Sequence, residues 1–313
     1  MSSVLATIIP VFLVIFAGYI AVFTKKFSED GVNGLMRFTQ RFAIPCVLFN
    51  GISQLEFGDV FGPALLVPFY VGSTSCFFLG ILAARHIFKR RPGESVAIGF
   101  GALFSNSLLI GLPVMERAYG PDSLAPNFGI IAIHAPFCYL VGITAMEFSR
   151  ADGRGLGATM SEVIKAMTRN SLTIGIAIGV AVNLSGLTLP TPLQDAIDLI
   201  ARAGLPAALF GLGGVLATYG IAASVPTASV ISVLSLIVHP GIAYLLATQV
   251  FHVDDAMLRG IIVTAAMAPG VNTYVFATLY NRAETEAASI VCLGTALSVL
   301  TVPVWLMILG GAA

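Results

Sequence analysis

Long apolar segments follow one another along almost the whole chain, and they leave few folds open to it. A helix needs about 20 mostly apolar residues to cross the hydrocarbon core of a membrane. Only 10% of the residues are charged, whereas a soluble domain carries about 25%. The sequence therefore predicts an all-α integral membrane protein with ten transmembrane helices. The predicted spans, numbered 1 to 10 in chain order, are residues 4–23, 36–54, 61–84, 95–119, 126–148, 171–188, 196–217, 227–250, 257–280 and 287–309.

The lysines and arginines between the spans set the predicted orientation, because basic loops stay on the cytoplasmic side. With the N-terminus outside, the inner loops collect eleven basic residues, while the outer loops and adjoining helix ends hold three. We therefore predict a multi-pass protein of the inner or plasma membrane with both termini on the extracellular or periplasmic side. The inner set is Lys25, Lys26, Arg85, Lys89, Arg90, Arg91, Arg150, Arg154, Lys165, Arg169 and Arg282, and the outer set is Arg117, Arg202 and Arg259.

The chain divides into two halves of five spans with a polar segment between them. Residues 1–148 are the first predicted repeat, residues 149–170 a cytoplasmic linker, and residues 171–313 the second repeat. A gapless shift of 161 positions lays RFAIPCVLF, which begins at Arg41, on RAGLPAALF, which begins at Arg202. Because five is an odd number of crossings, the second half must enter the membrane upside down. The sequence thus predicts an inverted repeat, the construction of many secondary transporters.

Spans 4 and 9 correspond under that shift, and both are interrupted near their middle. Span 4 contains SNSLLIGLP, which starts at Ser105, and span 9 contains AMAPGVNTY, which starts at Ala266. Proline removes a backbone donor and clashes with the preceding turn, and glycine adopts conformations that other residues avoid. We therefore predict two helices, each broken by a short extended link, that cross at the midplane of the membrane.

The two predicted links would form a binding site for a small anion. Broken backbone at membrane depth is tolerated where it is buried in protein or lines a cavity, and half-helix N-termini offer free N–H groups and partial positive charge. A carboxylate suits such a site without any lysine or arginine. The alternative interpretation is a kinked helix whose asparagine bonds a neighbouring helix. The candidate substrate-binding residues are Asn106, Ser105, Ser107, Gly111, Pro113, Pro269, Gly270, Asn272 and Thr273.

Ionisable residues inside the spans form a second set, the candidates for coupling or gating. A histidine titrates near physiological pH and can carry a coupling proton, although a satisfied hydrogen-bonding histidine and an arginine that anchors at the interface explain such positions too. No aspartate cluster for a hard cation occurs, so no metal site is predicted, and H+ and Na+ both stay open as coupling ions. The candidates are His134, His239, Arg41, Arg202 and Glu116.

Two classes of function are excluded by what the sequence lacks. The formal net charge is zero, whereas binding of nucleic acid needs a surplus of lysine and arginine. None of the patterns HExxH, GxSxG, the P-loop or CxxC occurs, so we predict no catalytic residues, no enzyme activity and no cofactor. The four cysteines are widely spaced in apolar segments, which predicts free thiols.

The interrupted motifs resemble those of the auxin efflux carrier family, which includes bacterial transporters of malonate and other organic anions. The resemblance rests on NSLLIGLP from Asn106, AYG from Ala118, AMAPGVNTYVFA from Ala266, and the RFAIP and RAGLP pair, and it covers nearly the whole chain. It implies the crossed-helix fold of bile acid:sodium symporters, with spans 1, 2, 6 and 7 as a scaffold and spans 3–5 and 8–10 as a transport unit. An elevator-type movement and a homodimer formed through the scaffold are implied as well. By position, Asn106 matches the asparagine that faces the substrate carboxylate in that family.

Two departures from the plant members make auxin a doubtful substrate. The chain lacks their long hydrophilic central loop, and Ser105 stands where their motif has proline before the asparagine. We predict a secondary transporter of a small mono- or dicarboxylate that works by alternating access in the lipid bilayer. A sodium-coupled organic-anion symporter of bile-acid type is the first alternative. A membrane receptor or sensor that binds a ligand without moving it is the second.

Overall fold

The computed structural model describes residues 2–149, 168–219 and 224–310, and α-helices joined by short loops make up most of these ranges. Within them, the only pairing of extended backbone is one isolated antiparallel bridge, between Ser105 and Pro269. The predicted cytoplasmic linker lies mostly outside the described residues. For the part of the chain that is described, the prediction of an all-α protein is confirmed.

The α-helices of the described residues are numbered in chain order. They are α1 (Ser2–Phe23), α2 (Glu29–Phe38), α3 (Ile44–Ser53), α4 (Phe57–Val60), α5 (Pro63–His86), α6 (Pro92–Leu103), α7 (Leu112–Tyr119), α8 (Ala125–Ser149), α9 (Ser171–Ser185), α10 (Thr191–Tyr219), α11 (Val225–Val233), α12 (His239–Gln249), α13 (Asp255–Ala265), α14 (Asn272–Tyr280) and α15 (Glu284–Ile308). Three π-helical turns extend them: Thr39–Ala43 joins α2 to α3, Ser107–Gly111 leads into α7, and Leu234–Val238 joins α11 to α12.

Six helical segments of the described residues are long and apolar enough to cross a membrane. They match predicted spans 1, 3, 5, 7, 8 and 10 and run over Ala6–Phe23, Pro63–His86, Pro121–Ser149, Thr191–Tyr219, Val225–Gln249 and Glu284–Ile308. The other four predicted spans are built from shorter helices. Span 2 is α2 and α3, span 6 is the 15-residue helix α9, and spans 4 and 9 are each two half-helices. The chain is thus a multi-helical membrane protein, while ten crossings in an inverted repeat stay a prediction.

The described residues form two compact units. The first unit takes its residues from Met1–Ile9, Gly58–Glu162 and Tyr219–Ala313, and the second from Pro10–Phe57 and Val163–Thr218. Each unit therefore draws on both predicted halves of the chain. The units and the predicted repeats divide the sequence in different ways.

Polar side chains tie α3, α9 and α10 together in the second unit. The Asn183 side chain donates to three carbonyl groups at the end of α3 at 2.8 to 3.2 Å, where the last carbonyls of a helix have no partner of their own. The amide of Asn50 donates to Asp198 at 2.8 Å and accepts from Gln194 at 3.0 Å. These bonds hold the three helices in one register.

The π-turn before α12 in the first unit is followed by Pro240, which leaves one backbone carbonyl of the turn without its helical donor. Pro240 lacks an N–H, so the carbonyl of Leu236, four residues earlier, loses its helical donor. The indole N–H of Trp305 on α15 donates to that carbonyl at 2.9 Å, and the thiol of Cys76 on α5 contacts the carbonyl of Leu234 at 3.3 Å. These side chains join three helices beside the apolar core of the unit.

Candidate functional site

Two helices of the first unit stop and restart, and the two interruptions meet. Helix α6 ends at Leu103 and α13 ends at Ala265. Beyond these ends the backbone is not helical until the π-turn that leads into α7 and until α14. We call residues 104–106 the first break and residues 266–271 the second break.

Two backbone hydrogen bonds join the breaks in an antiparallel manner. The N–H of Asn106 donates to the carbonyl of Ala268, and the N–H of Gly270 donates to the carbonyl of Phe104, each at 2.7 Å. Both distances are at the short end of the range for N–H···O bonds. Backbone that is buried away from water must satisfy its polar groups inside the protein. Here each break supplies a partner for the other.

Ser105 and Pro269 lie directly opposite each other in this bridge. Opposed residues in antiparallel pairs alternate between those that exchange hydrogen bonds and those that do not. This pair is of the second kind, because both bonds come from flanking residues. The missing N–H of Pro269 therefore removes no bond from the bridge. The proline ring packs against Gly294 of α15, where a Cβ atom would overlap it.

The structure corrects the prediction of which residues interrupt span 4. Gly111 has an ordinary helical φ of −63°, and Pro113 lies in α7, which follows the π-turn without interruption. The first break lies before both residues and is followed directly by the π-turn. In span 9, Pro269 and Gly270 do lie inside the second break. At Gly270 a Cβ atom would come within 2.8 Å of the ring of Phe104, so only glycine allows this approach.

Side chains of α8 satisfy the carbonyl groups that the first break exposes. The carbonyl of Ser105 is 3.2 Å from Nε2 of His134, and the carbonyl of Leu103 is 3.7 Å from Sγ of Cys138. Because a carbonyl oxygen only accepts, Nε2 of His134 carries a proton. His134 is 4% exposed. In this structure the histidine is therefore a buried donor that holds the first break.

Asn106 and Thr273 bring unpartnered polar atoms to the breaks. Asn106 is 5% exposed and Thr273 is fully buried. Within the described residues, neither Nδ2 of Asn106 nor Oγ1 of Thr273 makes a hydrogen bond. The hydroxyl groups of Ser105 and Ser107, in contrast, lie 2.6 Å apart and bond to each other. A buried polar group without a partner costs about 1–3 kcal/mol, and a ligand with acceptor oxygens would remove that cost at Asn106.

The second asparagine of the motif pair already has a partner. Oδ1 of Asn272 accepts from the hydroxyl of Tyr139 at 3.1 Å. The ring of Tyr139 lies 5.6 Å from that of Phe100 and 6.1 Å from that of Phe104. Phe100 in turn stacks on Phe276 at 4.0 Å. These rings form an aromatic wall beside the breaks.

Our reasoning from the sequence missed Cys138 and Tyr139. A signal for both is present in the sequence, because they follow His134 by four and five residues. Residues four apart share one face of a helix, so a functional histidine in span 5 marks Cys138 as its neighbour. The contact from Tyr139 to span 9 depends on the packing of α8 against α14, which no local pattern reveals.

The second predicted histidine lies near the first, and both imidazole rings contact the ring of Phe69. Nε2 of His239 in α12 donates to the carbonyl of Phe69 at 3.1 Å. The ring centroid of Phe69 is 5.5 Å from that of His134 and 4.9 Å from that of His239. Both imidazoles are thus bonded through Nε2 to backbone carbonyls. His134 bonds Ser105 in the first break, whereas His239 bonds Phe69 in α5.

The remaining candidates for coupling or gating are exposed and lie outside the breaks. Glu116 is on α7 in the first unit, and Arg41 and Arg202 belong to the second unit. No group of three or more His, Cys, Asp or Glu side chains that could hold a metal ion occurs in the described part of the chain. The polar groups that the structure does gather at the breaks are neutral.

Comparisons with known proteins indicate a membrane transporter. A family described as "Membrane transport protein" matches residues 3–306. The "Uncharacterized transporter YfdV" of Escherichia coli (strain K12) is 24% identical over 310 residues, which cover 96% of each chain. The "Putative malonate transporter" of Rhizobium meliloti (strain 1021) is 22% identical over 303 residues, 96% of this chain and 94% of the relative. "Auxin efflux carrier component 2" of Oryza sativa subsp. japonica is 26% identical over 174 residues, 51% of this chain and 26% of the relative.

Proposed function

The chain belongs to the membrane transport protein family, and on that basis we propose that it is a secondary transporter that binds a small organic anion at the paired breaks. It is a membrane transporter and not an enzyme. The observation that carries the proposal is the buried side-chain amide of Asn106 beside the broken backbone: no group in the described part of the chain bonds its Nδ2. A transport site must bind its substrate and release it again, and neutral donors suit that requirement better than a buried cation.

Backbone groups would supply much of the attraction for the anion. Within the described residues, no backbone acceptor bonds the N–H groups of Ser107, Leu108 and Leu109. A helix N-terminus carries the equivalent of about half a positive charge. A second N-terminus, that of α14, begins at Asn272, one residue beyond the second break. Two N-termini and one amide donor would favour the paired oxygens of a carboxylate.

A mono- or dicarboxylate is the substrate class that we infer. Asn106 is almost completely buried, so the substrate must be small, and the aromatic wall would cover an apolar part of it. The Rhizobium relative is named for malonate, a small dicarboxylate. That name supports the chemical class.

The movement that we infer is of the elevator type, with alternating access to the breaks. In support, α2, α3, α9 and α10 lie in the second unit and α5 to α8 with α11 to α15 in the first. Apart from α1, whose residues up to Ile9 fall in the first unit and the rest in the second, that division resembles a scaffold and a transport unit. Tyr119 and Tyr280, which are 161 positions apart, each end the half-helix that follows a break, which favours the inverted repeat. A homodimer through the scaffold, in the cell membrane with both termini outside, completes the proposal.

Substitution of Asn106 tests the site. Asn106→Ala removes the unpartnered donor, and loss of a hydrogen bond to a charged group costs about 1.5–3 kcal/mol. We therefore expect carboxylate uptake into proteoliposomes to show an apparent affinity lower by roughly 10- to 100-fold. Asn33→Ala is the matched control, because Asn33 is exposed in the second unit. Undiminished uptake by Asn106→Ala would show that Asn106 is not part of the site. If the unaltered protein binds the carboxylate but does not transport it, the result would favour a receptor.

A sodium-coupled symporter is the second candidate, and one observation favours it. Within the described residues, no donor bonds the carbonyls of residues 263–267, at the end of α13 and in the second break. Carbonyl oxygens are ligands for hard cations, and half-helix C-termini bind coupling ions in several transporters. Uptake should be measured with sodium replaced by choline at constant ionic strength. Uptake that stops in choline would establish sodium coupling, and unchanged uptake would exclude it.

A further inference from the structure

An open groove runs between α3, α9 and α10 in the second unit. Its cavity volume is about 370 Å³, and ten of the twelve residues that line it are apolar. Ile178 and Leu193 on its walls are 52% and 50% exposed. Cavities of this size hold small ligands, and an apolar wall selects a hydrocarbon. The groove uses none of the residues of the breaks.

Arg41 and Ser171 are the only polar residues among those that line the groove. Contacts between α3 and α9 place them side by side: Gly175 packs against the backbone of Pro45, and Arg41 and Ser171 each precede that contact by four residues. A four-residue step is close to one helical turn, so both residues reach the same end of the groove. One end is therefore polar, and the rest is apolar.

The polar end has the properties of an anion site. Arg41 is exposed, and the described residues give it neither a hydrogen bond nor an ion pair. Ser171 is the first residue of α9; Asn170 caps the N–H of Leu172, and within the described residues the N–H groups of Ser171 and Thr173 have no backbone partner. A helix N-terminus favours anions, and the guanidinium of an arginine binds phosphate in a bidentate manner. The arginine side chain and the helix N-terminus are independent features, and both lie at the same end of the groove.

The length of the groove matches one leaflet of a membrane. The α9 residues that line it run from Ser171 to Val182, which is about 16 Å at a rise of roughly 1.5 Å per residue. The hydrocarbon core is about 30 Å thick, so one leaflet contributes about 15 Å. An acyl chain that is anchored at the polar end would thus lie along the groove for most of its length.

We propose that this groove binds one acyl chain of an acidic phospholipid, with the lipid phosphate between Arg41 and the N-terminus of α9. The bilayer supplies the occupant, and the apolar walls, the cationic end and the one-leaflet length each match a part of it. The site is separate from the breaks and does not depend on which anion is transported.

A native cysteine reports on the occupancy of the groove. Cys46 lines it and is partly exposed, whereas the other three cysteines are buried. The full-length protein is placed in nanodiscs of phosphatidylcholine alone or with phosphatidylglycerol, and the rate of Cys46 alkylation by N-ethylmaleimide is followed by mass spectrometry. We expect phosphatidylglycerol to slow the reaction, and Arg41→Gln to weaken that protection about fivefold, the contribution of one basic residue at an acidic surface. Arg202→Gln, an exposed arginine that does not line the groove, should leave the protection unchanged.

A second variant keeps the test decisive if Arg41→Gln folds poorly. Ile178→Trp fills the groove at an exposed position, and we expect native mass spectrometry to find fewer bound phosphatidylglycerol molecules on it than on the unaltered protein. Equal protection by phosphatidylcholine, or equal protection by inorganic phosphate, would overturn the proposal. Protection that rises with protein density at any lipid composition would assign the groove to a second copy of the chain and would also overturn it.

Discussion

The two breaks contain similar sequence elements, an asparagine close to a proline or glycine, yet they satisfy their polar groups in different ways. At the first break, α8 side chains bond the freed carbonyls, and Nδ2 of Asn106 has no hydrogen-bond partner among the described residues. At the second break, the ring of Pro269 packs against Gly294, and Oδ1 of Asn272 is bonded by Tyr139. The difference separates two tasks. One asparagine keeps a donor ready for a ligand, and the other is oriented by the protein.

The sequence motifs alone do not predict this difference between the two asparagines. A hydrogen bond to Oδ1 fixes which way an amide points, so Tyr139 turns Nδ2 of Asn272 away from itself. In the described ranges no side chain bonds the amide of Asn106 in this way, and its backbone is held through the bridge to Ala268. Both breaks share the two backbone bonds of the bridge; the first depends in addition on hydrogen bonds from α8, and the second on the packing of Pro269. Substitutions at each break test that distinction.

Replacement of Gly294 should disrupt the second break most strongly. In Gly294→Ala the new methyl group would overlap the rigid ring of Pro269, and overpacking of this kind costs about 1–3 kcal/mol. We expect a lower thermal unfolding temperature and a large loss of transport. Gly241→Ala is the matched control, because a Cβ atom at that helical position has open space. Equal unfolding temperatures for the two variants would show that the proline ring does not need this contact.

Replacement of His134 should weaken the first break. His134→Ala leaves the buried carbonyl of Ser105 without its donor, at a cost of about 1–3 kcal/mol in the free energy of unfolding. His239→Ala loses a similar bond, to Phe69, but away from the breaks. We expect chemical denaturation to show comparable losses of stability in both variants, and uptake assays to show a larger loss of transport in His134→Ala. If His134→Ala instead keeps its stability and loses only the pH dependence of transport, the histidine carries a proton.

Much of this arrangement was predictable from the sequence, and the rest depends on long-range packing. Apolar length and breaker residues predicted the helical membrane fold and the interruption of spans 4 and 9, and the resemblance to auxin efflux carriers is confirmed by the family match. Asn106 and Thr273 were among the candidates. The position of the first break was not predictable, because Gly111 and Pro113 are the evident helix breakers and yet lie in helical backbone. The bond that ends the helix earlier comes from Gly270, more than 160 residues away.

Removal of the Tyr139 hydroxyl should have a moderate effect, confined to the second asparagine. Tyr139→Phe keeps the ring in the aromatic wall and deletes only the bond to Asn272, whose net contribution is about 0.5–1.5 kcal/mol. We expect a change of about 2- to 10-fold in the apparent affinity for the carboxylate and little change in maximal rate. Because Asn272 is partly exposed, stability should change least. An effect on affinity as large as that of Asn106→Ala would show that the two asparagines share one task.

A proline at position 105 should be nearly neutral, although it adds a helix breaker to a membrane span. Ser105 faces Pro269 in the pair that exchanges no hydrogen bonds, so its N–H is not needed by the bridge. Phe104 before it has φ −97° and ψ 98°, which is outside the α region that a following proline disfavours. Ser105→Pro loses only the hydroxyl contact with Ser107, for which we expect a change below about 1 kcal/mol in the free energy of unfolding.

Gly270→Pro is the matched control for that substitution. It places the same proline ring in the second break, one residue after Pro269, which is the partner of Ser105 in the bridge. It removes the N–H that donates to Phe104 at 2.7 Å and brings the ring into the space beside the phenyl group. Thermal unfolding should therefore separate the two variants clearly, with Gly270→Pro far less stable. A destabilised Ser105→Pro would mean that the N–H of Ser105 has a use that the bridge does not account for. A stable one would explain how the proline found before the asparagine in plant carriers and the serine found here can occupy the same backbone.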